Sequence, residues 1–266
     1  MKKVFQRPSS LKQVPFRFCA GCGHSLIHRL IAECIDMLGI REKVVGIAPV
    51  GCAVFAYDYF NFDILEAAHG RPPAVATGLK RSMSDRVIFT YQGDGDLAAI
   101  GTAEIIHAAN RGENISVFFV NNATYGMTGG QMAPTTLPGQ KTSTTPFGRN
   151  IKEAGYPLRV AELLSTIEGV SYIIRTSVDS YKNLITTKRA IEKSFRYQME
   201  GRGFSLVEIL SPCPVDWGLT PRDSIMWLRK EMMSVFPLGT FKDKFPERGL
   251  DNQHSMEEDN WKKELS

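Results

Sequence analysis

A β-branched and aromatic run, Val87 to Tyr91, passes into Gln-Gly-Asp-Gly-Asp at 92–96, and 25 residues then separate Gly95 from the pair Asn121-Asn122. No other stretch restricts the fold as much. Residues 87–91 read as a buried strand, Ile100, Ile105, Ile106 and Ala109 suit one face of a helix, and Ile-Ser-Val-Phe-Phe-Val at 115–120 reads as a second strand. The unit is strand, glycine turn, helix, strand. In an open parallel sheet the carboxyl ends of the strands form the ligand crevice, which brings Asp94 and Asn122 to one point. A carboxylate and an amide oxygen, completed by backbone carbonyl and phosphate oxygens, suit magnesium. Gly93 and Gly95 let the backbone approach a diphosphate, and the following helix turns its amide dipoles toward that charge. An isolated Gly-Asp-Gly is as readily a plain tight turn. What favours a ligand site is one helix-strand crossover between it and Asn-Asn.

The 266 residues, 43% of them apolar, are enough for one well-filled core, so a single α/β domain over 1–236 is expected, followed by a polar tail over 237–266 that either wraps a partner or is loosely ordered. Net charge is only +4 and the Lys and Arg are dispersed, which argues against nucleic-acid binding. The chain has no run of about 18 apolar residues, and its start lacks the apolar centre and cleavage site of a signal peptide. A soluble, cytoplasmic protein without membrane contact is expected. Five cysteines are an odd number for a disulfide framework, and a chain of this length does not need one.

The stretch to Phe18 reads as an extended arm. It leads into Phe-Cys-Ala-Gly-Cys-Gly-His at 18–24, ahead of a helix whose face carries Ile27, Leu30, Ile31, Cys34 and Leu38 and which Gly39 terminates. Cys34 on that face is a small buried hydrophobe. A strand over 44–48 runs into Pro-Val-Gly-Cys at 49–52, and the small residues of 72–79 suit a helix packed closely on the sheet or a diphosphate approach. The Thr/Pro/Gly-rich segment 132–149 reads as a loop that covers a cofactor or meets a partner, with disorder the alternative. A second α/β run follows, with a helix near 160–167, strands at 170–174 and 204–210, and a long helix over 180–199 between those strands. The last strand ends in Ser-Pro-Cys-Pro at 211–214.

Cys19, Cys22, Cys52 and Cys213 each stand in a loop beside Gly or Pro. Four such thiols suit either zinc or an iron-sulfur cluster, and spacing alone does not choose between them. His24 and His28, one helical turn apart, are either further ligands or ordinary helix residues.

Gly-Asp-Gly, the gap and Asn-Asn together resemble the signature of thiamine diphosphate enzymes. The continuation over 121–136, Asn-Asn-Ala-Thr-Tyr-Gly-Met-Thr-Gly-Gly-Gln-Met-Ala-Pro-Thr-Thr, resembles the β subunits of 2-oxoacid:ferredoxin oxidoreductases, and the three cysteine motifs resemble the cluster-binding positions of the same subunits. The resemblance implies a thiamine diphosphate-binding α/β fold, a mostly parallel central sheet with helices on both faces. It implies a 4Fe-4S cluster on Cys19, Cys22, Cys52 and Cys213. Thiamine diphosphate would lie among Val50, Gly51, Cys52, Ala53, His69, Gly95, Asp96, Gly126 and Met127. Magnesium would take Asp94, Asn122 and the backbone oxygen of Thr124.

The implied reaction converts a 2-oxoacid, coenzyme A and oxidised ferredoxin to acyl-CoA, carbon dioxide and reduced ferredoxin. No glutamate here is marked as the one that activates the aminopyrimidine. Glu66 and Glu104 suit surface or packing roles, so an α subunit is expected to supply it, and the number of further γ or δ subunits is open. In the family this chain resembles, 2-oxoglutarate enzymes tend to carry a basic residue soon after the cysteine matching Cys52; here the chain reads Ala-Val-Phe-Ala-Tyr, so the resemblance implies a branched-chain substrate such as 2-oxoisovalerate, with 2-oxoglutarate the alternative if the partner supplies an arginine. A non-redox thiamine enzyme would leave the cysteines idle, and a zinc-stabilised scaffold subunit would leave the magnesium signature idle.

Overall fold

In the computed structural model, residues 6–246 are described. The elements run α1 (His24–Leu38), β1 (Val44–Ala48), α2 (Ala56–Tyr59), β2 (Asp63–Glu66), α3 (Pro72–Ser82), β3 (Val87–Gly93), α4 (Thr102–Asn110) and β4 (Ser116–Asn121). After a long loop come α5 (Ile151–Ala154), α6 (Val160–Ser165), β5 (Val170–Ser177), α7 (Tyr181–Met199), β6 (Phe204–Leu210), α8 (Pro214–Trp217), α9 (Pro221–Trp227), α10 (Met233–Val235) and β7 (Gly239–Asp243).

The strands form one sheet in the order β2-β1-β3-β4-β6-β5-β7, parallel throughout except for β7. The inner strands are buried along their length, apart from Gly93 at the end of β3, and rich in Val, Ile and Phe, as a sheet covered on both faces requires. One face packs on α1 and α7 through Ile27, Ile31, Ile191 and Phe195. The other packs on α3, α4 and α6 through Ala76, Ile105, Ala109 and Leu164. The expected α/β architecture is therefore present. Gly39 ends α1 in the left-handed conformation, φ 65°, and Cys34 is fully buried.

Three elements depart from the sequence expectation. Gly95–Ile100 is a π-helix, closed by Gly101 N donating to Asp96 O at 2.8 Å. The wider turn shifts the helical phase, so Ile100, expected on the core face, is 47% exposed while Ile105 and Ala109 stay buried. Asp63–Glu66 is an edge strand with a mostly exposed pattern, which hydrophobic periodicity does not mark. The expected tail boundary at 237 also shifts, because Gly239–Asp243 pairs antiparallel with β5. An exposed edge strand needs no alternation. The remainder of that tail, 247–266, lies outside the described residues.

Candidate functional site

Because β1, β3, β4 and β6 are parallel neighbours, their carboxyl ends share one edge of the sheet. Cys52, Asp94, Asn122 and Cys213 follow those four ends in turn. A cavity opens there. All nine residues expected around thiamine diphosphate line it, namely Val50, Gly51, Cys52, Ala53, His69, Gly95, Asp96, Gly126 and Met127, and so do Asp94, Asn122 and Thr124.

Asp94 is buried. Its Oδ1 accepts from Gly95 N at 2.9 Å, and its Oδ2 accepts from Thr124 N at 3.1 Å and Thr135 Oγ1 at 2.6 Å. Burial raises its pKa to about 6, because these bonds only partly offset the loss of water around the charge. Asn122 Oδ1 accepts from the same Thr124 amide at 3.3 Å, so the carboxylate and the amide oxygen converge. A buried carboxylate with no cationic partner, facing an amide oxygen, is a donor set that suits a hard cation.

Gly95 is required by contact, since a Cβ there would lie 2.1 Å from the Tyr125 ring. Gly51 is required by conformation, φ 107°. Asp96 lines the cavity, but its carboxylate is committed elsewhere. Its Oδ1 accepts from Gly70 N at 2.6 Å and its Oδ2 from Gln92 Nε2 at 2.5 Å, while His69 Nδ1 stands 3.6 Å away. It holds the His69 turn in place. Glu104 pairs with Arg71 and Glu66 is exposed, so neither faces the cavity.

The Cys19–Cys22 turn, closed by Cys22 N to Cys19 O at 3.0 Å, seats against the β6 end and α9. A Cβ on Gly23 would lie 2.3 Å from Ser211 Oγ, and one on Gly21 would lie 2.6 Å from Pro221 Cβ. Cys52 Sγ is 3.5 Å from a Cβ built on Gly126, and Cys213 Sγ donates to Asp216 Oδ2 at 3.1 Å. Burial pushes the thiols of Cys22 and Cys52 up to about 12 and about 11, and neighbouring thiols of the set add to both shifts. Burial likewise raises Cys213, followed by its bond to Asp216. The four loop thiols are near enough to influence one another's charge, and Cys52 among them lines the cavity, whereas Cys34 is apart in α1.

Among the described residues, no three side chains of His, Cys, Asp or Glu are placed to hold a single metal ion. A cubane is held by thiolates set wider apart than those around one ion.

Sequence reasoning left His24 between a metal ligand and an ordinary helix residue and did not place it at the cavity. It is buried, lines the cavity and shares a 2.5 Å hydrogen bond between Nδ1 and Tyr91 Oη, and burial lowers its pKa to about 4. His28 is buried deeper, its Nδ1 2.7 Å from His24 O. The charges inside β5 and β6 were also missed. Arg175 and Glu208 are register partners in otherwise uncharged parallel strands, with Nε to Oε2 at 2.9 Å and both side chains fully buried. Opposite charges interrupting two such runs were the available signal.

The thiamine pyrophosphate enzyme family, C-terminal TPP binding domain, matches residues 50–209. The chain is 48% identical over 256 residues to the ketoisovalerate oxidoreductase subunit VorA of Methanothermobacter thermautotrophicus, covering 92% of this chain and 54% of that one. It thus spans about half the length of that relative. It is 34% identical over 230 residues to the 2-oxoglutarate synthase subunit KorB of Archaeoglobus fulgidus, covering 86% of this chain and 82% of that one. A solved 2-oxoglutarate:ferredoxin oxidoreductase from Magnetococcus marinus shares the fold, with a TM-score of 0.72 and 24% identity over 98% of this chain and 92% of that one. With the convergent Asp94 and Asn122 and the family match across both, the chain belongs to the thiamine diphosphate-binding subunits of the 2-oxoacid:ferredoxin oxidoreductases.

Proposed function

We propose that this chain is the catalytic β-type subunit of an oxidoreductase that converts a branched-chain 2-oxoacid, 2-oxoisovalerate, and coenzyme A to acyl-CoA and carbon dioxide while reducing ferredoxin. The observation that carries this reading is the cavity itself. Asp94 and Asn122 converge beside a glycine turn in its lining, Cys52 lines it too, and among the described residues no Lys or Arg does. A 2-oxoglutarate enzyme needs a cation for the distal carboxylate. The apolar surface of Val50, Ala53 and Met127 suits an isopropyl group instead.

Asp94, Asn122 and the Thr124 carbonyl would hold magnesium, with Gly95, Gly126 and Met127 beside the diphosphate. Gly51 would leave the approach at Cys52 unobstructed. Bound there, thiamine diphosphate supplies the electron sink for decarboxylation. Cys19, Cys22, Cys52 and Cys213 would carry a 4Fe-4S cluster as the route for electrons to ferredoxin. His24, kept neutral by burial, stands between the cysteine turn and the cavity. Among the described residues no glutamate lines the cavity, which supports an α subunit that brings the aminopyrimidine-activating carboxylate; alone the chain is inactive. Among the described residues no helix is long and apolar enough to cross a membrane, in keeping with a cytoplasmic assembly.

The test is anaerobic coexpression with the α partner, followed by viologen reduction with several 2-oxoacids. Preference for 2-oxoisovalerate by at least tenfold in kcat/KM is expected. Preference for 2-oxoglutarate overturns the substrate assignment and returns to the reading that the 34% identity to a 2-oxoglutarate synthase subunit favours. Colourless protein containing zinc overturns the redox assignment.

A further inference from the structure

Between the two residues expected to bind magnesium lies Ala123, the one non-glycine residue with positive φ (58°) among those described. Side chains hold its strained peptide from both sides. Its N–H donates to Asn121 Oδ1 at 3.2 Å, and its carbonyl accepts from Thr136 Oγ1 at 2.7 Å and Gln140 Nε2 at 3.3 Å.

Asn121 is itself anchored, because its Nδ2 donates to Glu208 Oε1 at 2.8 Å. The other Glu208 oxygen faces the Arg175 guanidinium, which also donates to Glu162 Oε1 at 3.0 Å and to Pro237 O at 3.1 Å and lies over the rings of Phe236 and Phe241. Asn121 and Glu208 are fully buried. A charge pair costs free energy to place inside a sheet, and an apolar pair would fill the space more cheaply. Here one member of the pair ends on the loop between Asn122 and Thr124.

We infer that Asn121 and Glu208 are positioning residues for the cation-binding loop: the ion pair between β5 and β6 fixes the Asn121 amide, which fixes the left-handed turn that presents Asn122 and Thr124. The inference rests on the reading that those two residues, with Asp94, hold magnesium. It adds a relay that reaches through β6 to the far side of β5. Orientation of this kind is what outer-shell partners do for metal ligands.

The experiment compares Asn121→Ala, Glu208→Leu and Glu208→Gln in the full chain with its partner. Leucine removes the acceptor for Asn121 Nδ2, and glutamine keeps one. Three quantities are read: magnesium affinity at fixed thiamine diphosphate by calorimetry, melting temperature, and amide hydrogen exchange of peptides spanning 119–127 in the cofactor-free protein. Asn121→Ala and Glu208→Leu are expected to weaken magnesium about tenfold and to speed exchange across 122–126. Glu208→Gln should lower the melting temperature while keeping magnesium affinity within about twofold of the parent and exchange across 122–126 near parental.

If affinity and exchange follow melting temperature in all three variants, the relay is only structural and the inference falls. It falls equally if Asn121→Ala leaves both unchanged. If the parent protein itself binds no magnesium with thiamine diphosphate, the functional reading fails separately, and the exchange comparison still decides whether these residues set the loop.

Discussion

Asp94 is the group whose environment makes the sharpest demand on the cofactor-free protein. Its pKa rises from an ordinary 3.8 to about 6 because burial removes water from the carboxylate. Below pH 3.8 the side chain is protonated in both folded and unfolded states and contributes nothing to pH dependence. Between 3.8 and 6 the unfolded chain ionises while the folded one keeps its proton, so stability falls as pH rises. Above 6 both are charged and the loss is complete. The gap between the two values corresponds to about 3 kcal/mol.

Asp94→Asn removes this component and leaves every other titrating group in place. The substitution also has a pH-independent cost, which cancels when the difference between variant and parent is compared at pH 7 and at pH 4. Urea unfolding in chelator and reductant, followed by tryptophan fluorescence, is the assay. Trp217 is well placed to report, since its indole N–H donates to Asn122 O at 3.0 Å. Relative to the parent, the variant should gain about 2.4 kcal/mol on going from pH 4 to pH 7, because about 0.6 kcal/mol of the loss is already present at pH 4. A gain below about 1 kcal/mol would refute the argument, because the carboxylate would then be solvated and not waiting for a cation.

Further outcomes follow from particular contacts. Gly95→Ala forces a Cβ to 2.1 Å from the Tyr125 ring and should cost about 1–3 kcal/mol in thermal unfolding, with Tyr125→Ala in the same chain recovering much of it. Arg149 donates to the carbonyls of Ala133, Pro134, Thr136, Ala154, Gly155 and Tyr156. Arg149→Met should therefore destabilise by about 3 kcal/mol or more and open the 132–156 segment to limited proteolysis. After anaerobic reconstitution, alanine at Cys19, Cys22, Cys52 or Cys213 should each abolish dithionite-bleachable absorbance near about 400 nm. Cys34→Ala, with its sulfur fully buried in α1, should keep it.

Much of the fold was legible because its inner strands are continuous apolar runs bounded by Gly, Pro or Asn. Val44–Ala48 and Phe204–Leu210 fall where the sequence put them. The π-helix was not legible, because Ile100 and Ile105 fit an α-helical stripe until one extra residue per turn takes Ile100 out of it. The loop 132–149 is short of apolar residues, as read, yet it is ordered. Its order comes from Arg149 and from Thr135 and Thr136, which bond to Asp94 Oδ2 and Ala123 O. Nothing in the local pattern of a Thr/Pro-rich stretch predicts that its hydroxyls and one guanidinium will find partners in other segments.

The same contrast separates the site from its supports. Cys52, Asp94, Asn122 and Cys213 sit where strands end, beside residues that permit turns, and parallel pairing alone then gathers them on one edge. Such residues advertise themselves. Glu208 and Arg175 lie inside strands, and each looks like a single misplaced charge in an uncharged run until the β5–β6 register sets them opposite one another. A buried charge in a parallel strand is too costly to be idle, so it calls for a partner of opposite charge in a neighbouring strand. Here that search leads from Glu208 to Arg175 on one side and to Asn121 on the other. A motif written in the loops is thus joined to an ion pair in the sheet that no motif describes.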